Sequence, residues 1–148
     1  MDFYLWASAR CAVKEYCHAE IEAKLKNKGA TPEETESIIQ KLENEGFINE
    51  NRYAEAFAAD KFRFDHWGRT KIRYALRNKG ITESIVNQAI DKCIDPEAYH
   101  MALKDFIAAK TRQTKAPDAY TLRQKVARAA IARGFEPHLV FELLSLDN

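Results

Sequence analysis

The sequence has no long apolar run and few residues that bend or cross-link a chain. Its 148 residues include five glycines, four prolines and three cysteines. Cys11, Cys17 and Cys93 are spaced irregularly, which favours free thiols in a reducing compartment over a disulfide framework. No segment reaches the ~20 apolar residues that a membrane-spanning helix needs, and residues 1–4 lack the basic start of a signal peptide. The sequence therefore predicts a cytoplasmic chain without a membrane segment.

Motifs of catalysis are also missing. The sequence has no P-loop, no Gly-rich dinucleotide turn, no nucleophile elbow and no His-Glu-x-x-His. Cys17-His18 beside Cys11 lacks the second half-site that a zinc ion would need. Asp60 and Asp65 are better explained as helix-surface charges than as nuclease ligands. We therefore expect no enzyme activity, no cofactor and no metal.

The net charge of +1 conceals an uneven distribution of charge along the chain. Residues 1–60 carry 7 Lys/Arg and 12 Asp/Glu, a net −5. Residues 61–133 carry 16 against 7, a net +9, and residues 134–148 carry a net −3. The cationic middle predicts an acidic or polyanionic partner. Basic residues that only solvate exposed helix faces would give the same distribution.

The apolar residues recur at helical spacing, and the alternation typical of strands is absent. Nine helices are predicted, beginning with Phe3–Tyr16 and Ala19–Lys28 and ending with Ala119–Arg133 and Pro137–Leu146. The expected N-caps of the third, fourth, sixth and seventh helices are Thr31, Asn49, Thr82 and Asp95. The sequence therefore predicts an all-α fold.

Three glycines mark an internal repeat. Gly29, Gly80 and Gly134 are 51 and 54 residues apart, and each directly follows a cation. Apolar residues stand eight and four positions before each of them. These aligned residues are Ile21, Ile72 and Val126, then Leu25, Leu76 and Ala130. The alignment predicts an elongated array of three tandem three-helix repeats. The predicted units are residues 1–46, 47–94 and 95–148.

Short motifs follow one another in a fixed order along these repeats. They are Glu20-Ile21-x-x-Lys24-Leu25-x-x-Lys28-Gly29, Gly46-Phe47-Ile48-Asn49-Glu50-x-Arg52-Tyr53-Ala54 and Gly68-x-x-Lys71-Ile72-x-x-x-Leu76-x-x-Lys79-Gly80-Ile81. Each alone is an ordinary helix-stop pattern. Their order and spacing resemble the RecX family, bacterial regulators of the RecA recombinase. The resemblance covers nearly the whole chain and is strongest from Glu20 to Ile90.

The resemblance implies a bent array of three-helix units that binds the groove of the RecA–DNA filament. It also implies that the chain restrains filament growth, ATP hydrolysis and strand exchange. Two features depart from the family pattern. Cys17-His18 replaces the usual Ser-Arg, and cysteine is a weak N-cap. Ala129 and Ala130 make the middle helix of the third unit thin, which predicts looser docking of that unit.

The basic residues of the second and third units form the candidate interface. Arg69, Arg73 and Arg77, spaced four apart, predict a cationic stripe beside the apolar face of one helix. Guanidinium groups suit carboxylates and phosphates equally, so these residues could contact protein or DNA. The resemblance implies the RecA filament as the partner, with single- or double-stranded DNA as a further candidate. The candidate residues are Lys61, Arg63, Arg69, Lys71, Arg73, Arg77, Lys79, Lys115, Arg123, Lys125, Arg128 and Arg133.

A helical nucleic-acid-binding module without a recombinase partner is the alternative. His66, Trp67 and Tyr74 lie near the cations and are able to stack on bases, although Trp67 is expected in or beside the core. Under either interpretation the mechanism is steric and electrostatic. The chain is expected to act as a monomer.

Overall fold

The computed structural model describes residues 1–146, and over that range its regular secondary structure is entirely helical. The nine helices are α1 Phe3–Val13, α2 His18–Asn27, α3 Pro32–Asn44, α4 Glu50–Arg63, α5 Arg69–Asn78, α6 Glu83–Cys93, α7 Pro96–Gln113, α8 Ala119–Ala132 and α9 Pro137–Leu146. The predicted all-α fold is confirmed. Over the same residues, no helix combines the length and the apolar character that crossing a membrane requires.

The helix ends follow the expected chemistry with two exceptions. Thr31 and Glu34 form a reciprocal capping box, with bonds of 3.0 and 3.2 Å. Asn49 and Asp95 each accept the backbone N–H three residues on, at 2.9 Å. Thr82 stands at the N-cap of α6, but its side chain forms no capping bond. The expectation that α1 continues to Tyr16 is wrong, because the backbone becomes extended one residue after Val13.

The aligned positions of the repeat lie at equivalent places in the core. Four helices are followed by a glycine with φ between +80° and +105°, a conformation that glycine adopts at little steric cost. The six aligned apolar residues are all at most 1% exposed. They are Ile21, Ile72, Val126, Leu25, Leu76 and Ala130. The repeat predicted from the glycine register is therefore present in the packing.

The helices pack in threes, as α1–α3, α4–α6 and α7–α9. We call these the first, second and third units. The accessible surface is 9149 Å², against about 7,700 Å² expected for a compact protein of 17.0 kDa. The excess is consistent with an elongated array of three tandem three-helix repeats.

The first unit has its own core, whereas the second and third units share one. The shared core runs from Ile72 in α5 through Tyr99 in α7 to Phe135 after α8. Ala127 and Ala130 of α8 are both buried in it. The looser docking expected of the third unit stays a prediction.

The middle helices of the three units, α2, α5 and α8, meet end to end. At the second joint, which links the second and third units, the Gly68 N–H donates to the Arg133 carbonyl (2.9 Å) and the Thr70 N–H to the Gly134 carbonyl (3.0 Å). At the first joint, the Cys17 thiol approaches the Lys79 carbonyl (4.0 Å). Each helix N-terminus thus meets the carbonyl groups that end the next middle helix, which suits the polarity of both ends.

A tyrosine completes each joint. Tyr53 and Tyr99 both stand four residues after the N-cap of the first helix in their unit. The Tyr53 hydroxyl donates to Glu20 at 3.3 Å, and the Tyr99 hydroxyl accepts the Arg69 backbone N–H at 3.0 Å. Equivalent residues therefore bridge neighbouring units, Tyr53 as a donor and Tyr99 as an acceptor.

Candidate cationic interface

Trp67 is the centre of one group of predicted interface residues. The Lys61 ammonium lies 4.7 Å from a Trp67 ring centroid and the Lys71 ammonium 4.5 Å. Lys61 also forms an ion pair with Asp65, with 3.0 Å between Nζ and Oδ2. The indole packs against the shared core and is half-buried. The predicted position of Trp67 beside the core is confirmed, and two cations flank its ring.

Arg73 and Arg77 lie on α5 with their guanidinium groups directed toward α6. Arg73 Nε is 3.4 Å from the Asn87 side-chain oxygen, and Arg77 Nη2 is 3.0 Å from Glu83 Oε1. The Arg77 pair is open to water at both ends, so it contributes between about 0 and 1 kcal/mol. A partner carboxylate or phosphate can replace such weak bonds at small cost. Tyr74, on the same helix, is 67% exposed.

Arg69 is directed toward the third unit instead of toward α6. Its guanidinium lies 3.8 Å from the Tyr99 ring centroid and 3.4 Å from Glu136 Oε2. Glu136 also accepts the Tyr99 hydroxyl proton. The stripe predicted from four-residue spacing is therefore divided, since Arg69 belongs to the second joint while Arg73 and Arg77 do not.

Two more predicted interface cations lie at the joints. Lys79 Nζ is 2.9 Å from Glu20 Oε2 across the first joint. Arg133 Nη1 is 3.3 Å from the Asp65 carbonyl oxygen, and its guanidinium lies 5.3 Å from the Phe106 ring centroid. Local sequence patterns do not reveal this structural role, because each partner is remote along the chain. An N-cap without a capping side chain, as at Gly68, is the feature that could have indicated it.

The third unit carries the remaining candidates. The Lys125 ammonium donates to the Lys115 carbonyl at 3.0 Å, which ties the α7–α8 link to α8. Arg128 is exposed, and Arg123 is half-buried at the rim of a 280 Å³ apolar groove. Arg63 is exposed at the end of α4 in the second unit. These side chains lie on two neighbouring units.

Tyr53, Tyr99 and Glu20 at the joints have shifted pKa values. Burial, and then the hydrogen bond to Glu136, raise the pKa of Tyr99 despite the opposing Arg69 N–H. Burial and the neighbouring Glu20 carboxylate raise the pKa of Tyr53. Burial alone would raise the pKa of Glu20, but hydrogen bonds from Lys79 and the Cys17 N–H outweigh it and hold that pKa below its usual value. The joints therefore favour neutral tyrosines and an ionised Glu20.

Neither the cysteines nor the acidic residues form a reactive centre in the described structure. All three cysteines are free, as predicted, and burial raises the pKa of each thiol. His18 lies between Glu22 and Glu43, 3.4 and 2.8 Å away. Over residues 1–146, no group of three or more His, Cys, Asp or Glu is arranged to hold a metal ion.

Comparison with known proteins identifies the family. Residues 49–90 match the family model described as RecX, second three-helix domain. A regulatory protein RecX from Pseudomonas fluorescens Pf-5 is 31% identical over 135 residues, covering 90% of this chain and 84% of the relative. This chain belongs to the RecX family. A Thermotoga petrophila RecX is 31% identical over 126 residues, covering 85% of this chain and 72% of that relative.

RecX relatives differ in length. A Clostridium perfringens regulatory protein RecX is 31% identical over 122 residues, but the match spans only 55% of that relative. A crystal structure of regulatory protein RecX superposes with a TM-score of 0.84 at 26% identity, covering 97% of this chain and 72% of the other. RecX from Lactobacillus salivarius has the same fold, with a TM-score of 0.84 at 18% identity over 97% of this chain and 92% of that one.

Proposed function

We propose that this chain regulates homologous recombination and DNA repair by binding the RecA–DNA filament and lowering RecA ATP hydrolysis and strand exchange. Relatives named regulatory protein RecX support a regulatory role. The family resemblance adds the RecA filament as the partner. On this proposal the chain acts in the cytoplasm as a monomer, and it blocks or bridges filament subunits without catalysing a reaction.

The observation that carries the proposal is the position of the exposed cations on an extended array. Arg77 in the second unit and Lys125 and Arg128 in the third are exposed, and the half-buried Arg73 keeps its guanidinium on the α6 side of α5, while other basic residues hold the units together. Guanidinium groups bind carboxylates and phosphates through paired hydrogen bonds. An elongated chain that presents such groups on successive units is suited to contact more than one subunit of a filament.

The proposed units are residues 1–46, 47–94 and 95–148. Packing of the helices in threes supports these boundaries, which fall in the links before α4 and α7. The second and third units share a core, so we expect them to move together on the filament. The first unit is held to them by the first joint.

The first test is single-stranded-DNA-dependent ATP hydrolysis by RecA, titrated with this protein. The proposal predicts a fall in rate at ratios well below one protein per RecA subunit, because a bound regulator affects neighbouring subunits. An unchanged rate at saturating protein contradicts the proposal. If binding to DNA without RecA persists in that case, the helical nucleic-acid-binding module becomes the better description, and the cation-flanked Trp67 is the observation that favours it.

The proposed contact site is tested by the double variant Arg73→Glu and Arg77→Glu. Each side chain forms a hydrogen bond to α6 in an exposed position, so the fold should persist while filament binding weakens at least tenfold. Arg69 is left unchanged because it belongs to the second joint. The matched control, Lys92→Glu and Lys104→Glu, changes the net charge equally at exposed residues outside the candidate set. Equal loss in both variants would point to net charge and contradict this site.

A further inference from the structure

The cations of the first unit lie against aromatic rings. The Arg10 guanidinium is 4.3 Å from the Trp6 ring centroid, and the Lys28 ammonium approaches the same residue at 5.3 Å. Trp6 is only partly buried, because it packs against the first-unit core from the surface. Two positive charges therefore flank one accessible indole.

Tyr16 repeats this arrangement. The Lys14 ammonium lies 4.9 Å from the Tyr16 ring centroid and the Lys24 ammonium 5.4 Å. Tyr16 is also partly buried at the edge of the first-unit core. We call this set the aromatic–cation face. Its members are Trp6, Arg10, Lys14, Tyr16, Lys24 and Lys28.

The spacing of these residues places them in two rows. Trp6, Arg10 and Lys14 are four residues apart along α1 and its C-cap, and Lys24 and Lys28 are four apart along α2 and its C-cap. Each step of four residues in a helix advances about 6 Å. Since Trp6 contacts a cation from each row, as does Tyr16, the rows lie side by side and form one continuous face.

The positive charges of this face are not neutralised by the acidic residues of the first unit. Within residues 1–146, none of its four cations forms an ion pair with a carboxylate. The carboxylates have other partners or positions. Glu15 pairs with Arg52, Glu20 with Lys79, Glu22 and Glu43 with His18, and Glu33 and Glu34 lie in the first turn of α3. The first unit is acidic in total, yet this side of it is cationic.

The aromatic–cation face ends at the second unit. A groove of about 520 Å³ between the first two units is lined by Lys14, Lys61 and Lys79, but also by four carboxylates. Lys61 pairs with Asp65, and Lys79 pairs with Glu20. The unpaired cations of the face therefore lie on the first unit.

We propose that the aromatic–cation face binds a single strand of nucleic acid. Lysine and arginine would contact its phosphates, and the partly exposed rings of Trp6 and Tyr16 would stack on unpaired bases. A duplex hides its bases inside the helix, so it could use the cations but not the rings. An acidic protein surface would likewise leave the rings unused. This site lies outside the proposed filament-binding residues and does not depend on RecA.

The test measures binding of the full chain to a fluorescently labelled 20-nucleotide oligothymidylate by anisotropy, without RecA, at several salt concentrations. The variant Lys24→Gln and Lys28→Gln removes two cations of the face. The matched control Lys26→Gln and Lys104→Gln removes two exposed cations outside the face. Lys26 lies between Lys24 and Lys28 in the sequence, but its side chain lines a different groove, together with His18 and Glu22. Circular dichroism verifies that both variants keep their helices.

We expect the face variant to bind at least tenfold more weakly than the unmodified chain and the control to stay within about twofold of it. Each phosphate contact contributes about 0.7 to the slope of log affinity against log salt for a single strand, so the face variant should lose about 1.4 from that slope. Equal weakening of both variants, or none in either, would overturn the proposal, because binding would then be elsewhere or absent.

Base stacking has its own readout. In a Trp67→Phe background the fluorescence arises from Trp6 alone, since the chain has two tryptophans. Oligothymidylate should quench this emission, and a 20-base-pair duplex should bind more weakly and quench less. Unquenched emission on binding, or a preference for duplex, would reject the single-strand assignment. Neither result depends on RecA ATP hydrolysis, so failure here is distinguishable from failure of the proposed function.

Discussion

Replacing Gly68 with alanine should destabilise the joint between the second and third units. The φ angle of Gly68 is −78°, so alanine would meet no backbone strain there. The added Cβ, however, would lie well within 3.0 Å of the Gly134 carbonyl group and the Phe135 nitrogen. These are backbone atoms, which cannot rotate away as a flexible side chain would. The α8–α9 turn must therefore move.

That movement disturbs the two backbone hydrogen bonds of the second joint, from Gly68 to Arg133 and from Thr70 to Gly134. Overpacking of a close contact costs about 1–3 kcal/mol. A buried donor left without an acceptor costs about 1–3 kcal/mol more. We therefore expect Gly68→Ala to lower the free energy of unfolding by about 3 kcal/mol or more.

The assay is urea denaturation followed by circular dichroism, with thermal unfolding as a second measurement. For a chain of this size, about 3 kcal/mol corresponds to a fall of roughly 6–12 °C in Tm. Gly29→Ala is the matched control. Its φ is +97° and nothing lies within 4 Å of the added Cβ, so only the left-handed backbone penalty of about 1–2 kcal/mol applies. If Gly68→Ala is no more destabilising than Gly29→Ala, the close-contact argument is refuted.

Two further predictions concern the tyrosine and the ion pair at the joints. Tyr99→Phe should lower the free energy of unfolding by about 1–3 kcal/mol at neutral pH, because the Arg69 N–H loses its acceptor. Since folding raises the pKa of Tyr99, this tyrosine contributes stability that is fully present below its ordinary pKa of 10.0 and is lost as the pH rises above that value. In denaturation measurements above pH 10, the free energy of unfolding should fall by up to about 1.4 kcal/mol per pH unit for each such tyrosine. The total fall should be smaller for Tyr99→Phe. Lys79→Met should flatten the acid dependence of stability, because the lowered pKa of Glu20 provides stability above its ordinary 4.5 that is lost as pH falls through the folded-state value. An unchanged acid profile in urea titrations of Lys79→Met would contradict that role.

Helical period and the glycine register predicted most of the fold from the sequence. Burial of Ile21, Ile72 and Val126 at equivalent places follows from local patterns, because a helix repeats its apolar face and glycine ends it. The end of α1 was less predictable. Lys14 and Tyr16 continue the helical spacing of polar and apolar residues, although the backbone is already extended at Lys14.

The candidate interface was predictable only in composition. Arg69 and Arg73 are one helical turn apart and have the same chemistry, yet one stacks on Tyr99 and pairs with Glu136 while the other faces Asn87. No local pattern distinguishes them, because the partners of Arg69 come from another unit. The aromatic–cation face was not predictable as a whole, because its cations come from both α1 and α2, and only the packing of these helices brings them together.

The N-terminus of α8 differs from those of α2 and α5 in a way that matters for design. The N-caps of α2 and α5 are Cys17 and Gly68, and both ends are completed by groups from the following unit. The α8 end is completed by its own N-cap, because Asp118 accepts the Thr121 N–H at 2.7 Å. A protein engineer who wished to lengthen the array could not simply append another copy of the third unit. Replacing Asp118 with glycine would be the first step toward an end that accepts one.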